Sequence, residues 1–266
     1  MRKMYRHFAR ISAEYRNLRF TDEEPINRIA ESLAWAETIK AADVGCGAGR
    51  YDFLLFERLS PRLELFGIDT ETNMLREARR YLQKHQFRCF YTMQAYARAL
   101  PLRSGYLDAV VTFNAVHHFQ VREFLYEATR VLKPGGTLFI YTRTRSQNRR
   151  SIWGQHFPSF WNKEKRLLET RQFKEIIEEV PALTLDTVNK FQYQRTATLA
   201  QLLDKAKRRH YSTFALYSPS DLTKALLRFE ENVRRHYRNM TRIVWHDENV
   251  MFIARKTEAI AQSAGA

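Results

Sequence analysis

Residues 41–50, AADVGCGAGR, constrain this chain more than any other stretch. An apolar approach runs into Asp43 and then into three glycines at alternate positions, Gly45, Gly47 and Gly49. Glycine lacks a Cβ and enters the positive-φ region freely, so a strand that empties into such a turn brings bare backbone against a ligand. The nearest confusable pattern, the dinucleotide fingerprint, needs a further glycine three positions after its second, to let a helix open over a pyrophosphate. Arg50 holds that place here. A carboxylate beside the loop would repel phosphates and suit an amino-bearing or cationic ligand, so Asp43 also argues against a dinucleotide.

The segments after the loop set the fold class. Tyr51–Leu59 is apolar at helical spacing, and Leu63–Ile68 reads as a strand ending in Asp69. Asp69 lies 24 residues beyond Gly45, near the separation at which a βαβ unit sets a second-strand carboxylate over ribose hydroxyls. Met74–His85 predicts a helix, and Phe87–Thr92 and Leu107–Phe113 predict the third and fourth strands. After Asn114-Ala-Val-His117-His118-Phe119 come a helix over Glu123–Leu132, a turn at Lys133-Pro-Gly-Gly136 and a fifth strand over Thr137–Tyr141. Strands alternating with helices in this way imply an α/β, parallel, doubly wound sheet.

Across residues 40–142 the segments DVGCGAGR, IDTETNML, LPLRSGYLDAV, NAVHHF and RVLKPGGTLFI resemble the class I S-adenosylmethionine-dependent methyltransferases. That resemblance implies a mostly parallel, seven-stranded Rossmann-like sheet with helical lid insertions and a reversed last hairpin, for which Leu183–Arg195 and Asn249–Arg255 are the natural strands. It implies S-adenosylmethionine as cofactor. Asp43 would order the loop and approach the amino group, and the backbone of Gly45, Cys46 and Gly47 would face the methionine portion. Asp69 with Thr70 would hold the ribose, Met74 would pack on the adenine face, and Asn114 would complete the cofactor site. The family usually carries an acidic residue at the adenine edge. Here the matching position is Gln94, followed by Ala95, and an amide oxygen can still accept from an exocyclic amine. The NAVHHF stretch is similar both to quinone-biosynthesis C-methyltransferases and to tRNA wobble-uridine carboxymethyl methyltransferases, and does not separate them.

Methyl transfer from a sulfonium is an in-line displacement in which the protein chiefly aligns the nucleophile and excludes water. A carboxylate acceptor needs no base, whereas a phenol, enol or carbon acid does. His117 and His118 follow the fourth strand and are the candidate bases; the alternative is that they pack beside the methionine portion as neutral hydrogen-bonding groups. No metal-ligand spacing is visible.

At 266 residues the chain can bury a full core, and one domain over residues 1–256 accounts for it, followed by a tail at 257–266 with no apolar anchor. No apolar run approaches a membrane span, and two cysteines, Cys46 and Cys89, are too few for a disulfide framework, which fits a soluble cytoplasmic protein. Tyr5, Phe8, Ile11, Tyr15 and Leu18 recur at helical spacing, so residues 1–30 read as a retained N-terminal lid helix rather than a transit segment. The formal net charge of +15 is uneven: residues 1–20 carry +5, 143–171 carry +6 and 195–242 carry +7, which leaves −3 for the rest. In the class I arrangement these basic additions would roof the substrate crevice and draw in anionic partners; the alternative is a solvated surface.

The lid stretch also mixes cations with rings. Tyr15, Arg149, Arg150 and Trp153 are the substrate-lid candidates, although rings in such a segment more often form a small core of their own. The chain therefore reads as a methyltransferase acting on a small anionic or planar acceptor. A modified tRNA base is the alternative acceptor, and a non-catalytic S-adenosylmethionine-binding scaffold is the alternative from another class.

Overall fold

The computed structural model describes residues 19–257. Tyr15, the greater part of the expected N-terminal lid helix and the tail beyond Thr257 lie outside the described residues. In chain order the elements are α1 (Glu24–Ser32), β1 (Ile39–Val44), α2 (Arg50–Leu59), β2 (Leu63–Asp69), α3 (Thr72–Lys84), β3 (Phe90–Gln94), β4 (Leu107–Phe113), α4 (Val121–Val131) and β5 (Leu132–Thr142). There follow α5 (Arg145–Arg150), α6 (Ile152–His156), α7 (Phe160–Lys163), α8 (Thr170–Glu178), β6 (Leu183–Ala197), α9 (Leu199–Lys207), α10 (Pro219–His236) and β7 (Ile243–Lys256).

The strands form one seven-stranded sheet in the order β3-β2-β1-β4-β5-β7-β6. The pairs β1–β2, β1–β4, β2–β3 and β4–β5 are parallel. The order reverses direction between β1 and β4, the switch point outside which open α/β sheets bind ligands at the carboxyl ends of their strands. Every residue of β4 is buried, as expected of a central strand covered on both faces.

The chain divides into two compact units. Among the described residues one comprises Asp22–Tyr141, Arg171–Asn189 and 251–257; the other comprises 19–21, Thr142–Thr170 and Lys190–Val250. Within the first unit, helices α2 and α3 present buried stripes (Tyr51, Leu55, Phe56, Leu59; Met74, Leu75, Ala78, Leu82) at the spacing that the sequence pattern predicts. The second unit has an aromatic core of its own. Trp153 stacks on Phe229 at 5.1 Å and meets Phe214 edge-on at 5.3 Å, while Phe157 lies 5.0 Å from Phe214. Each such ring, wholly removed from water, stabilises the unit by about 2–3 kcal/mol. Buried Glu164 adds a polar tie: it accepts from Arg166 Nε at 2.8 Å and from the Thr213 hydroxyl at 2.7 Å. Burial opposes its charge, yet the Arg166 guanidinium holds this carboxyl below the usual range.

Three boundaries differ from the sequence expectation. Phe87 is not in β3: Gln86 takes a left-handed φ of 63°, and Phe87 turns back to stack on Phe56 at 4.8 Å. The Lys133-Pro-Gly-Gly136 stretch lies within β5, where the register jumps from Leu107↔Leu132 to Ala109↔Thr137 and the extra residues form a bulge. Finally, β7 begins at Ile243 rather than Asn249, because Asp247 is buried in the strand against arginine partners.

Candidate functional site

In the core unit the ends of β1, β2, β3 and β4 meet around the glycine loop. Gly45, Gly47 and Gly49 all adopt left-handed backbone, with φ of 79°, 56° and 77°. A Cβ at Gly45 would stand 2.5 Å from the Ala115 Cβ, so the loop can lie against the segment after β4 only as glycine. The Gly45 amide donates to the Ile68 carbonyl at 2.7 Å, which ties the loop to β2.

Asp69 is held by backbone on both oxygens. Oδ2 accepts from the Gly47 amide and Oδ1 from the Glu71 amide, each at 2.9 Å. Burial pushes this carboxyl up, and the amides of Glu71, Gly47 and Thr70 pull it back. The Ala95 amide donates to the Asp69 carbonyl at 3.1 Å, and Gln94 Nε2 donates to the Thr70 carbonyl at 3.0 Å. That bond fixes the Gln94 amide with Oε1 as its acceptor end. Met74 is buried at the start of α3. The structure therefore brings Gly45, Cys46, Gly47, Asp69, Thr70, Gln94 and Ala95 to one strand edge, as the motif spacing requires.

Behind the loop lies a pair that sequence reasoning missed. Asp52 on α2 is wholly buried, and neither of its oxygens finds a hydrogen-bond partner; it lies near enough to the buried Asp43 carboxyl for each to affect the other's ionisation. Two carboxyls this close cannot both ionise cheaply. Burial, then the charge of Asp52, raises Asp43 well above the usual range, and burial pushes Asp52 up to about 7. Burial beside these carboxyls likewise raises the Cys46 thiol. The helical pattern of α2 places residue 52 inward, but it does not say what a carboxylate finds there.

At the end of β4, Asn114 takes a left-handed φ of 54°, and its amide donates to the Tyr141 carbonyl at 2.7 Å. His117 and His118 lie on the 3-10 turn Val116–His118 with ring centroids 4.1 Å apart, the first half-buried and the second exposed. Tyr51 stacks on Phe113 at 4.3 Å, and the Tyr141 hydroxyl donates to buried Asp22 at 2.7 Å.

The lid candidates separate within the second unit. Trp153 is only 3 % exposed, in the aromatic core. Arg150 is engaged by Glu248 through both Nε, at 2.9 Å, and Nη2, whereas Arg149 lies over the Trp161 ring at 5.2 Å. The less exposed cations are ones the sequence pattern does not single out: Arg143 and Arg195 flank buried Asp247 at 3.1 and 3.7 Å. Among the described residues no helix is long and apolar enough to cross a membrane, and no group of His, Cys, Asp and Glu is placed to hold a metal ion.

Residues 42–140 match the family described as a methyltransferase domain. The chain is 33 % identical over 132 residues to the Mus musculus protein named tRNA (carboxymethyluridine(34)-5-O)-methyltransferase ALKBH8, an alignment covering 48 % of this chain and 18 % of that protein. It is 34 % identical over 95 residues to the demethylmenaquinone methyltransferase of Lactococcus lactis, covering 35 % of this chain and 38 % of the relative. The chain thus spans well under half the length of either relative. Among solved structures, geranyl diphosphate methyltransferase in complex with S-adenosylmethionine is similar with a TM-score of 0.56, covering 88 % of this chain and 85 % of that one. At 15 % identity this likeness shows the fold.

Proposed function

We propose that the chain is a class I S-adenosylmethionine-dependent methyltransferase that transfers a methyl group in line to a small anionic or planar acceptor, a reading supported by the match of residues 42–140 to the methyltransferase-domain family. The single observation that carries the cofactor assignment to particular residues is the double clamp on Asp69. With one bond per carboxylate oxygen from Gly47 and Glu71, each oxygen keeps lone pairs for a ribose hydroxyl. Gln94 presents its acceptor oxygen at the neighbouring register position, which suits an adenine amine. The positive-φ loop offers backbone to the methionine portion of the cofactor.

S-adenosylmethionine, when bound, supplies a methyl already activated by its sulfonium. The chain's part is to align the acceptor with that methyl and to keep water out. If the acceptor is a carboxylate, His117 and His118 act by hydrogen bonding alone; for an acceptor that must lose a proton, one of them takes it at a ring nitrogen. The formal net charge of +15, concentrated in residues 1–20, 143–171 and 195–242, favours an anionic acceptor. A modified tRNA base is the second reading, favoured by the likeness to the mouse tRNA methyltransferase.

Asp69→Ala tests the cofactor assignment. Loss of charge-assisted hydrogen bonds should weaken binding of S-adenosylhomocysteine by about 1.5–3 kcal/mol in calorimetry. An unchanged dissociation constant in a folded variant removes Asp69 from the site.

A further inference from the structure

Residues 143–171 hold eight lysines and arginines against two carboxylates, and partners take up most of the arginines. Arg143 is paired with Asp247 at 3.1 Å, Arg150 with Glu248 through two nitrogens, Arg166 with buried Glu164, and Arg171 with Glu175 at 2.7 Å. Arg145 and Arg149 differ. Among the described residues neither forms an ion pair, and both lie instead over one indole, that of Trp161, at 5.1 and 5.2 Å. Of the two carboxylates in the stretch, Glu164 is buried against Arg166 and Thr213, and Glu169 accepts from the Ser146 hydroxyl at 2.7 Å.

Helical spacing explains the convergence. Arg145 and Arg149 are four residues apart on α5, so their side chains leave the same face, and α5 packs on α7, which carries Trp161. Arg149 is exposed while Arg145 and the ring are half-buried, so the cluster is open to solvent rather than enclosed. A guanidinium over a ring keeps its N–H donors at its edge, where they can still grip an anion two at a time. Like charges at this spacing repel, and an anion set between them relieves the repulsion. An open patch holds a single small anion weakly, because water competes for each contact, whereas one polyanion makes many contacts at once. Lys163 at the end of α7 and exposed Lys165 add positive charge beside the ring in the chain. A ring flanked by guanidiniums fits a strand that alternates flat bases with phosphates, and unpaired strands are recognised by stacking on aromatic side chains and arginine planes.

We propose that Arg145, Arg149 and Trp161 form a docking patch for an unpaired RNA strand, with the guanidiniums on phosphates and the indole under a base. The inference rests on the reading of the acceptor as a tRNA base, and it assigns that RNA a contact on the second unit. The test is fluorescence anisotropy of a labelled oligouridine of about 12 nucleotides, within the span of one single-strand site, titrated with the full chain at several salt concentrations. Arg145→Gln together with Arg149→Gln should weaken binding by about tenfold or more and make the logarithmic salt slope shallower by about 1.4, at 0.7 for each phosphate no longer neutralised. Trp161→Leu should weaken binding by about tenfold with the slope unchanged, and Trp161→Phe should restore most of it. Arg76→Gln together with Arg80→Gln is the charge-matched control: these arginines are also four residues apart, on α3, but bond to Asn73 and Glu77, and their loss should change binding by less than about twofold. The patch is overturned if wild type does not bind oligouridine, if the α3 pair weakens binding as much as the α5 pair, or if folded Trp161→Leu binds normally. Polyglutamate that competes as well as unlabelled oligouridine at equal charge overturns the RNA assignment in favour of an acidic protein segment. Bulk tRNA and S-adenosylhomocysteine, titrated into the same samples, separate the levels. If wild type binds tRNA and the α5 and Trp161 variants bind it equally well, the patch falls and the tRNA reading stands; if wild type binds neither RNA, both fall, and S-adenosylhomocysteine binding shows whether the methyltransferase reading survives them.

Discussion

Replacing Asp52 with asparagine should stabilise the protein at alkaline pH and flatten its pH dependence. Burial raises the Asp52 carboxyl from an ordinary 3.8 to about 7. The unfolded chain therefore gives up this proton near pH 4 while the folded chain keeps it. Because the native state binds the extra proton, stability falls as pH rises between those two values, and the penalty is fully expressed above about 7. At 1.36 kcal/mol per unit, the shift corresponds to about 4 kcal/mol. Asparagine has nearly the same shape, carries no charge, and offers an N–H to the Asp43 carboxyl, whose own rise is due first to burial and then to Asp52. Urea denaturation of wild type and variant at about pH 5 and pH 8, followed by circular dichroism, measures the effect as a difference of differences. The variant should gain most at the higher pH. Parallel pH profiles for the two proteins would refute the buried-carboxyl account, since histidines and surface carboxylates contribute equally to both.

Gly45→Ala forces a side chain into left-handed backbone and onto the Ala115 Cβ at 2.5 Å. Strain and overpacking together should cost about 2–5 kcal/mol, lowering the melting temperature by roughly 5–15 °C, and an unchanged melting curve would mean that the loop sits elsewhere. If the acceptor is a tRNA base, binding to bulk tRNA should weaken steeply between about 50 and 200 mM salt, and the pair Arg208→Glu, Arg209→Glu should reduce the logarithmic slope by about one unit for each phosphate no longer neutralised. A flat salt response in wild type decides against RNA.

The sheet and the loop are legible in the sequence because their signals are local. Alternating strand and helix periods encode the order up to β5, and a glycine triplet between an apolar strand and an apolar-faced helix leaves few other structures open. Asp69 could be located by counting, since a βαβ unit has a nearly fixed length. The Asp43–Asp52 pair could not, because a buried carboxyl on a helix face is indistinguishable in sequence from one at the helix boundary. The same holds for Arg143, Arg195 and Asp247, which lie tens of residues apart and acquire meaning only when β6 and β7 pair. Arg150, prominent in sequence for its basic neighbours, is occupied by Glu248, 98 residues away. Distant partners decide which cations of a basic segment remain available, and no periodicity encodes them.

The aromatic core of the second unit is assembled from separated stretches of chain. Residues 142–170 supply Ile152, Trp153, Phe157 and Phe160, and residues 190–250 supply Phe214, Phe229 and Trp245; the Glu164 network joins the same two stretches through Thr213. Neither stretch encloses a core without the other. In descent this makes the pair a single heritable character: an ancestor carrying one insertion alone would have exposed a sheet of rings to water, so homologues are expected to possess both or neither, with compensating length changes between them. For engineering, grafting one onto a simpler scaffold would yield an aggregating protein, whereas transplanting both together keeps their shared aromatic core intact.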